Sequence, residues 1–286
     1  MRVVNLVENT EGNAGCRAEH GLCFYIETKK HKLLMDTGAS DLLIENAKKL
    51  GVELSEVDTV ILSHGHYDHG GGILPFSKMN QTAKIFIHPL AFSKCYSTTR
   101  SGEPRYIGLD PEIMNLKQVI ILDQKPLSDA ISDNALEGKP DEELEIFSNI
   151  GNSKPAPLTN KTLFVEKDGE LINDDFAHEQ CLVIKQDGKR YVFSGCAHHG
   201  VTNILQRYFE IYGDYPDAVF SGFHTLRKNG YSDDDLEYIR NTAEELKKFK
   251  TKFYTMHCTG EEPYEEMRKI MGEQIEYIHC GDEIDF

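Results

Sequence analysis

Short apolar runs separated by polar turns recur along the chain and predict a protein built from both strands and helices. In the N-terminal half, runs at 2–8, 22–27, 32–35, 57–62 and 84–87 are brief and rich in β-branched residues, which is typical of buried strands. A second series of predicted strands follows at 181–185, 191–194, 218–220, 253–256 and 276–279. The turn Asp187-Gly188 predicts a hairpin between the first two of these.

Apolar residues spaced by three and four positions predict amphipathic helices between the strands. Such stripes run from 42 to 50, from 201 to 212 and from 236 to 246. Ser40 and Ser232 are expected to cap the first and third of these helices, because serine side chains accept hydrogen bonds from the first helical turn. The pattern therefore favours an α+β protein.

Composition narrows the class of protein. The chain has 286 residues, of which 40% are hydrophobic, and a net charge of −16. This acidity argues against a nucleic-acid partner, although bound cations would still allow a small anionic substrate. Seven cysteines, with no CxxC pair, indicate reduced thiols and a cytoplasmic location. No signal peptide is visible and no apolar run approaches about 18 residues, so no membrane partner is expected.

Residues 96–160 are the least regular stretch and are rich in proline. We expect an inserted surface region here, of the kind that often selects substrates. Arg100, Arg105 and Tyr106 are candidates to hold an anionic or aromatic group, and ordinary solvated loop residues are an equal alternative.

The densest chemistry lies between Ser63 and Gly72. His64, His66, Asp68 and His69 fall within six residues, directly after a predicted buried strand. Imidazole and carboxylate are common metal ligands. His64 and His66 share one side of an extended segment, whereas Asp68 and His69 follow a turn, so two adjacent metal sites are predicted. Three glycines come next, and we expect them to turn the chain tightly at positive φ.

This motif resembles the signature of the metallo-β-lactamase superfamily. More narrowly, the chain resembles a branch of metal-dependent hydrolases related to archaeal dihydropterin synthases. The narrower resemblance is carried by Ala18-Glu19-His20-Gly21, Asp36-Thr37-Gly38, Ser63 to Gly72, Gly195-Cys196-Ala197-His198-His199-Gly200, Gly222-Phe223-His224 and His257-Cys258-Thr259-Gly260. It implies a four-layer αββα sandwich in a single domain over 1–286, with the 96–160 insertion.

The resemblance also assigns residues beyond the first motif. His198 and His257 match further ligand positions, with His178 as an alternative to His198. Asp36 is expected to support a ligand by hydrogen bonding, although a simple strand-end turn would also place an aspartate there. Cys196 stands where many relatives have a bridging aspartate, and it is either a bridging thiolate or a small buried thiol. Around these ligands, His20, His224 and Phe223 are expected at the substrate.

These residues predict a metal-dependent hydrolase. Two divalent metal ions, zinc before manganese or iron, would supply a metal-bound hydroxide that attacks a small phosphoester, ester or lactone. Asp68 would orient that nucleophile, and His224 would donate a proton. A transferase that condenses a dihydropterin diphosphate with an aromatic amine is the first alternative, with a pterin-like substrate. A di-iron redox protein and a metal-stabilised binding protein are the others. The oligomeric state is not predicted.

Overall fold

Residues 1–12, 14–99, 102–122 and 141–286 are described by a computed structural model, and the strands of these residues form three sheets. The chain divides into two compact units. One comprises Met1–Gln124, Leu163–Asp174 and Ile278–Phe286, and the other comprises Lys125–Thr162 and Asp175–Tyr277, as far as their residues are described. The single domain predicted from the sequence stays a prediction.

The first unit contains a seven-stranded sheet in the order β17-β1-β2-β3-β4-β5-β8. Its strands are β1 (Arg2–Val7), β2 (Cys23–Glu27), β3 (Lys32–Met35), β4 (Thr59–Ile61), β5 (Lys84–Ile87), β8 (Val119–Ile121) and β17 (Glu283–Asp285). From β3 to β8 the strands are parallel. Met35 pairs with Ile61 in this register, so the residues that follow β3 and β4 meet at one edge of the sheet.

A smaller sheet of the first unit has the order β11-β10-β6-β7. Its strands are β6 (Cys95–Ser97), β7 (Arg105–Tyr106), β10 (Leu163–Lys167) and β11 (Glu170–Asn173). The helices of this unit are α1 (Leu42–Lys49), α2 (Tyr67–Gly70) and α3 (Ile73–Met79), with 3-10 turns at Leu54–Glu56, Pro89–Phe92 and Pro111–Asn115.

The cap of helix α1 lies one residue later than predicted. Its N-cap is Asp41, whose side chain makes no capping hydrogen bond. The hydroxyl of Ser40 accepts from the Leu42 amide at 3.1 Å and donates to Glu19 at 2.6 Å. The predicted Ser40 cap is therefore wrong by one position, although its hydroxyl still accepts from the first amide of the helix. The predicted apolar face is confirmed, since Leu42, Leu43 and Ala47 are buried.

The second unit is built on a six-stranded sheet in the order β16-β15-β14-β13-β12-β9. Its strands are β9 (Leu144–Phe147), β12 (Cys181–Gln186), β13 (Lys189–Phe193), β14 (Ala218–Phe220), β15 (Lys252–Thr255) and β16 (Ile275–Tyr277). Its helices are α4 (Val201–Tyr212), α5 (Asp233–Leu246) and α6 (Glu261–Met271), with 3-10 turns at Leu158–Thr162 and Gly272–Gln274.

Helices alternate with strands from β13 to β16, and these four strands are parallel. The loops at 195–200, 222–224 and 257–260 therefore leave the same edge of the sheet. The helices pack their apolar faces into one core, for example through Ile204, Tyr208 and Ile239. Helix α5 begins with a capping box formed by Ser232 and Asp235, which confirms the predicted serine cap.

Turn chemistry explains the hairpins. Asp187 and Gly188 have φ of 54° and 75°, the left-handed values that a tight two-residue hairpin requires, so this prediction is confirmed. Asp168 and Gly169 turn in the same way between β10 and β11, with φ of 54° and 85°. That hairpin was not predicted, although its Asp-Gly signal is equally clear.

The stretch 96–160 contributes to both large sheets. It contains β8, which pairs with β5 in the first unit, and β9, which pairs with β12 in the second. It is thus more than a surface loop, and its status as an insertion stays a prediction. Arg100 lies outside the described residues. Among the described helices, none has the length and apolar content needed to cross a membrane.

Candidate metal centre

The His-x-His pair lies just beyond the end of β4 and is buried. His64 is fully buried and His66 is 4% exposed. Nε2 of His64 lies 3.0 Å from Nδ1 of His66, and the two rings meet edge to face. Two nitrogens bound to one tetrahedral zinc ion at about 2.05 Å would be about 3.3 Å apart. The two nitrogens therefore have nearly the separation of a pair that shares one ion.

Hydrogen bonds fix the tautomers of the ligand candidates. Ser63 donates its hydroxyl proton to Asp36 Oδ2 at 2.7 Å, so its oxygen accepts from Nδ1 of His64 at 2.8 Å. Nδ1 of His69 donates to the same Asp36 oxygen at 2.6 Å. In both rings the proton is placed on Nδ1, which leaves the lone pair of Nε2 for a metal.

Asp36 is held where the sequence predicts a supporting carboxylate. It is fully buried and follows β3, which is the parallel neighbour of β4. Its other oxygen accepts from the Ser63 amide at 2.7 Å. Its φ is 61°, an uncommon value that aspartate tolerates better than most residues. Its contribution to metal binding stays a prediction.

The three glycines are required by close packing and not by positive φ. A Cβ on Gly71 would lie 2.3 Å from the Ala39 carbonyl oxygen, and one on Gly72 would lie 2.1 Å from that of Thr37. Gly71 and Gly72 have φ of −64° and −80°, so the predicted turn at positive φ is wrong. The backbone of this loop instead sits directly on the loop that follows β3.

Asp68 lies in the first turn of α2, beside His20. The Oδ2 atom of Asp68 is 3.2 Å from Nε2 of His20, whose side chain is 46% exposed while that of Asp68 is 11% exposed. Arg105 places its guanidinium 5.2 Å from the ring centre of Tyr67. The first unit thus combines buried donors with an exposed imidazole and an exposed cation.

In the second unit, Glu179 shapes the loop after β13. One carboxylate oxygen accepts from the His198 amide at 2.6 Å, and the other accepts from the His199 amide at 3.1 Å and ring at 2.7 Å. Burial alone would raise the pKa of Glu179, but these hydrogen bonds and the His199 charge lower it below its usual value. His199 is therefore turned toward Glu179, and Glu179 itself was missed because it lies nineteen residues before His198.

His198 contacts both polar and aromatic side chains. Its Nδ1 lies 3.2 Å from Asn160 Oδ1, and its ring stacks on Phe176 with centres 4.3 Å apart. The ring of His224 is 4.2 Å away, and Thr159 Oγ1 lies 2.7 Å from Nδ1 of His224. The structure thus brings the predicted ligand His198 and the predicted proton donor His224 together.

Cys196 lies among the ligand candidates of the second unit. It is 3% exposed, and its sulfur is within 4.8 Å of ring nitrogens of both His198 and His257. His257 is 1% exposed and follows β15. Soft thiolate and imidazole together suit zinc. Whether Cys196 binds an ion or is only a buried thiol stays a prediction, as does the role of His257.

Two further predicted residues are buried. The Phe223 ring is 2% exposed and packs in the hydrophobic core of the second unit, and its contact with substrate stays a prediction. His178, the alternative ligand, is also buried and lies edge-on to Phe176, with ring centres 6.1 Å apart. Both His178 and His198 belong to groups of donors that could hold a metal ion, so the choice between them stays a prediction.

Comparison with known proteins decides the family. The sequence profile of the metallo-β-lactamase superfamily matches residues 16–240. The chain belongs to the metallo-β-lactamase superfamily. It is 29% identical to the 7,8-dihydropterin-6-methyl-4-(β-D-ribofuranosyl)-aminobenzene-5'-phosphate synthase of Methanocaldococcus jannaschii, over 100% of this chain and 97% of that protein.

Solved structures agree with this placement. A crystallised metal-dependent hydrolase of the β-lactamase superfamily matches with a TM-score of 0.79 and 27% identity, over 100% of this chain and 99% of the other. Zinc-bound PqqB of Methylobacterium extorquens matches with a TM-score of 0.55 and 15% identity over the full length of both chains, which shows a shared fold. The predicted superfamily, branch and α+β fold class are confirmed.

The superfamily consists largely of enzymes and typically binds divalent metals. The donors described above fit such ions, because they are buried, are oriented by hydrogen bonds and combine imidazole, carboxylate and thiol groups.

Proposed function

We propose that this protein is a metal-dependent hydrolase of small phosphoester, ester or lactone substrates. The observation that carries the proposal is the buried His64–His66 pair, with nitrogens 3.0 Å apart, beside a His69 whose proton is held by Asp36. Orientation of this kind is typical of histidines that bind a metal.

The ligands of the first unit would be His64, His66, Asp68 and His69, as the sequence predicts. His198 and His257 are the candidates of the second unit, with Cys196 beside them. Divalent metals, when bound, lower the pKa of water and polarise a carbonyl or phosphoryl oxygen. That two ions are bound is part of the proposal, as is the preference for zinc.

The remaining chemistry is assigned to side chains near these ligands. Asp68 contacts His20, whose exposed imidazole is available to a substrate. The Thr159 hydroxyl is hydrogen-bonded to Nδ1 of His224, and this bond orients the ring for proton donation. Arg105 supplies an exposed positive charge next to Tyr67, and therefore next to the metal motif. A substrate with a small anionic group suits this arrangement.

The test is metal content followed by a screen of phosphodiester, thioester and lactone substrates. We expect bound zinc or manganese in protein purified without chelator, and turnover that falls by about 10²-fold or more in His64→Ala. His31→Ala is the matched control, because His31 pairs with Asp58 at the surface of the same unit, where Asp58 is exposed. Equal activity in both variants would show that the activity does not arise from this site.

A transferase is the second candidate, because the synthase from Methanocaldococcus jannaschii aligns over the full length of this chain. In that reaction the amine nitrogen would form a bond to the carbon of a dihydropterin diphosphate that carries the leaving group, the carbon–oxygen bond to diphosphate would break, and the amine proton would leave. Incubation with both substrates, with diphosphate release as the readout, separates the two functions. Release that requires the aromatic partner supports transfer, and release without it supports hydrolysis.

A further inference from the structure

A second group of donors converges on His66 from the smaller sheet of the first unit. Ligating atoms of His66, Cys95 and Asp174 all lie within 4.8 Å of one another. Cys95 is fully buried and His66 is 4% exposed, while Asp174 is partly buried. A sulfur and a carboxylate donor from outside the His-Asp motif are therefore gathered beside a nitrogen donor that belongs to it.

The backbone holds these residues in place. Cys95 opens β6, which pairs with β10, and Asp174 directly follows β11 on the other side of β10. The Asp174 amide donates to the Leu163 carbonyl at 3.1 Å. His66 forms a single β-bridge with Gly108, just beyond β7. The backbone just beyond β7 thus pairs with His66, and the small sheet places Cys95 and Asp174 close to that histidine.

The spacing is that of metal ligands. Cys95 Sγ lies 3.7 Å from Asp174 Oδ2. A sulfur at about 2.3 Å and an oxygen at about 2.1 Å from one tetrahedral zinc ion would be about 3.6 Å apart.

We propose that His66, Cys95 and Asp174 form a further binding site for a thiophilic divalent ion such as zinc. On binding, Cys95 releases its thiol proton to solvent, and the His66 ring also releases its N–H proton when its two nitrogens hold two ions at once. His66 is shared with the His-x-His pair, which it approaches through Nδ1, and its ring carries a second nitrogen. The site goes beyond the proposed hydrolase function and rests on it only in this shared residue.

Cobalt(II) provides the test, because cobalt bound to thiolate shows a charge-transfer band in the near ultraviolet. We would titrate metal-free protein with cobalt chloride and compare wild type with Cys95→Ser, Cys196→Ser and Asp174→Asn. Cys16→Ser is the matched control, since Cys16 is also buried in the first unit and is not among the donors. We expect Cys95→Ser to lose charge-transfer intensity and one bound ion.

Asp174→Asn should keep the fold and weaken cobalt binding at this site by about tenfold or more. An unchanged band in Cys95→Ser, or a band lost only in Cys196→Ser, would overturn the proposal. If Cys95→Ser fails to fold, the affinity of Asp174→Asn decides alone. A hydrolase screen without turnover leaves this result intact, because the band reports binding and not activity.

Discussion

Asp36→Asn isolates the part of the site that orients a ligand. Asparagine has nearly the volume of aspartate and tolerates the positive φ of 61° at this position. Its carbonyl oxygen still accepts from the Ser63 amide. On the other side it presents an N–H group to Nδ1 of His69, where the carboxylate accepts a proton at 2.6 Å. The variant therefore favours the wrong tautomer of His69 without changing the backbone.

The expected magnitude follows from the lost hydrogen bonds. Two of the three bonds to the buried carboxylate are removed, those to Ser63 Oγ and to His69. Each bond to a charged group contributes about 1.5–3 kcal/mol. Because the serine hydroxyl can reorient, we expect the free energy of unfolding of metal-free protein to fall by about 2–4 kcal/mol. Zinc affinity should fall by about 10–100-fold, the usual cost of losing a carboxylate behind a ligand histidine.

The assay is competition with a chromogenic zinc chelator, together with urea unfolding of the metal-free protein. Asp58→Asn is the matched control, because Asp58 bonds Nδ1 of His31 at 2.8 Å but is exposed. We expect that exposed pair to contribute about 0–1 kcal/mol to stability and nothing to zinc binding. Zinc bound by Asp36→Asn as tightly as by wild type would refute the tautomer argument, even if stability fell.

Three other substitutions test separate features. Gly72→Ala places a methyl group 2.1 Å from the Thr37 carbonyl oxygen, so the free energy of unfolding should fall by about 3 kcal/mol or more. In the control Gly151→Ala the methyl group meets open space, and the free energy of unfolding should change by less than about 0.5 kcal/mol. Arg105→Ala should raise KM about tenfold for anionic substrates and leave neutral ones unchanged, as Michaelis kinetics with both would show. Asp235→Asn should cost about 1 kcal/mol at pH 7. Partial burial opposes ionisation of Asp235, but hydrogen bonds from an arginine and the capping serine lower its pKa below 3.8. This stabilisation is therefore complete above that pH, and urea unfolding should show the difference shrinking as pH falls through the folded pKa.

The fold could be predicted where local chemistry matches the final structure. The strand before His64 and the Asp187-Gly188 hairpin carry their signals within a few residues, and both were found. The Asp168-Gly169 hairpin has the same signal but was missed, because its second strand, β11, is exposed along its whole length and has no buried apolar run to mark it. The last strand, β17, was missed because three residues, Glu283–Asp285, give too little periodicity to recognise.

The sequence identifies those site residues that lie close together along the chain, and it misses partners that come from distant segments. His64, His66, Asp68 and His69 are neighbours in sequence, so residue type alone identifies them. Partners such as Asp174 come from segments about a hundred residues away, and only the pairing of β6, β10 and β11 brings that one to His66. The role of Glu179 is likewise recognised only from its hydrogen bond to the His198 amide in the folded chain. Sequence patterns report which ligands are present, whereas tertiary pairing decides what orients them.

Backbone strain gives an independent indication of where function lies. Among the described residues, eight other than glycine adopt left-handed φ, and four of these lie in the loops that carry or support the ligand candidates. They are Asp36, Ala197, His224 and His257, with values of 61°, 53°, 47° and 52°. Such conformations cost about 1–3 kcal/mol each and persist only where surrounding contacts impose them. Two of those contacts are visible, since the Ser63 amide holds Asp36 and Glu179 holds the amide that follows Ala197. Glycine or asparagine would adopt such conformations at lower cost, so at His224 and His257 the strain is best explained by the chemistry of the side chains it positions.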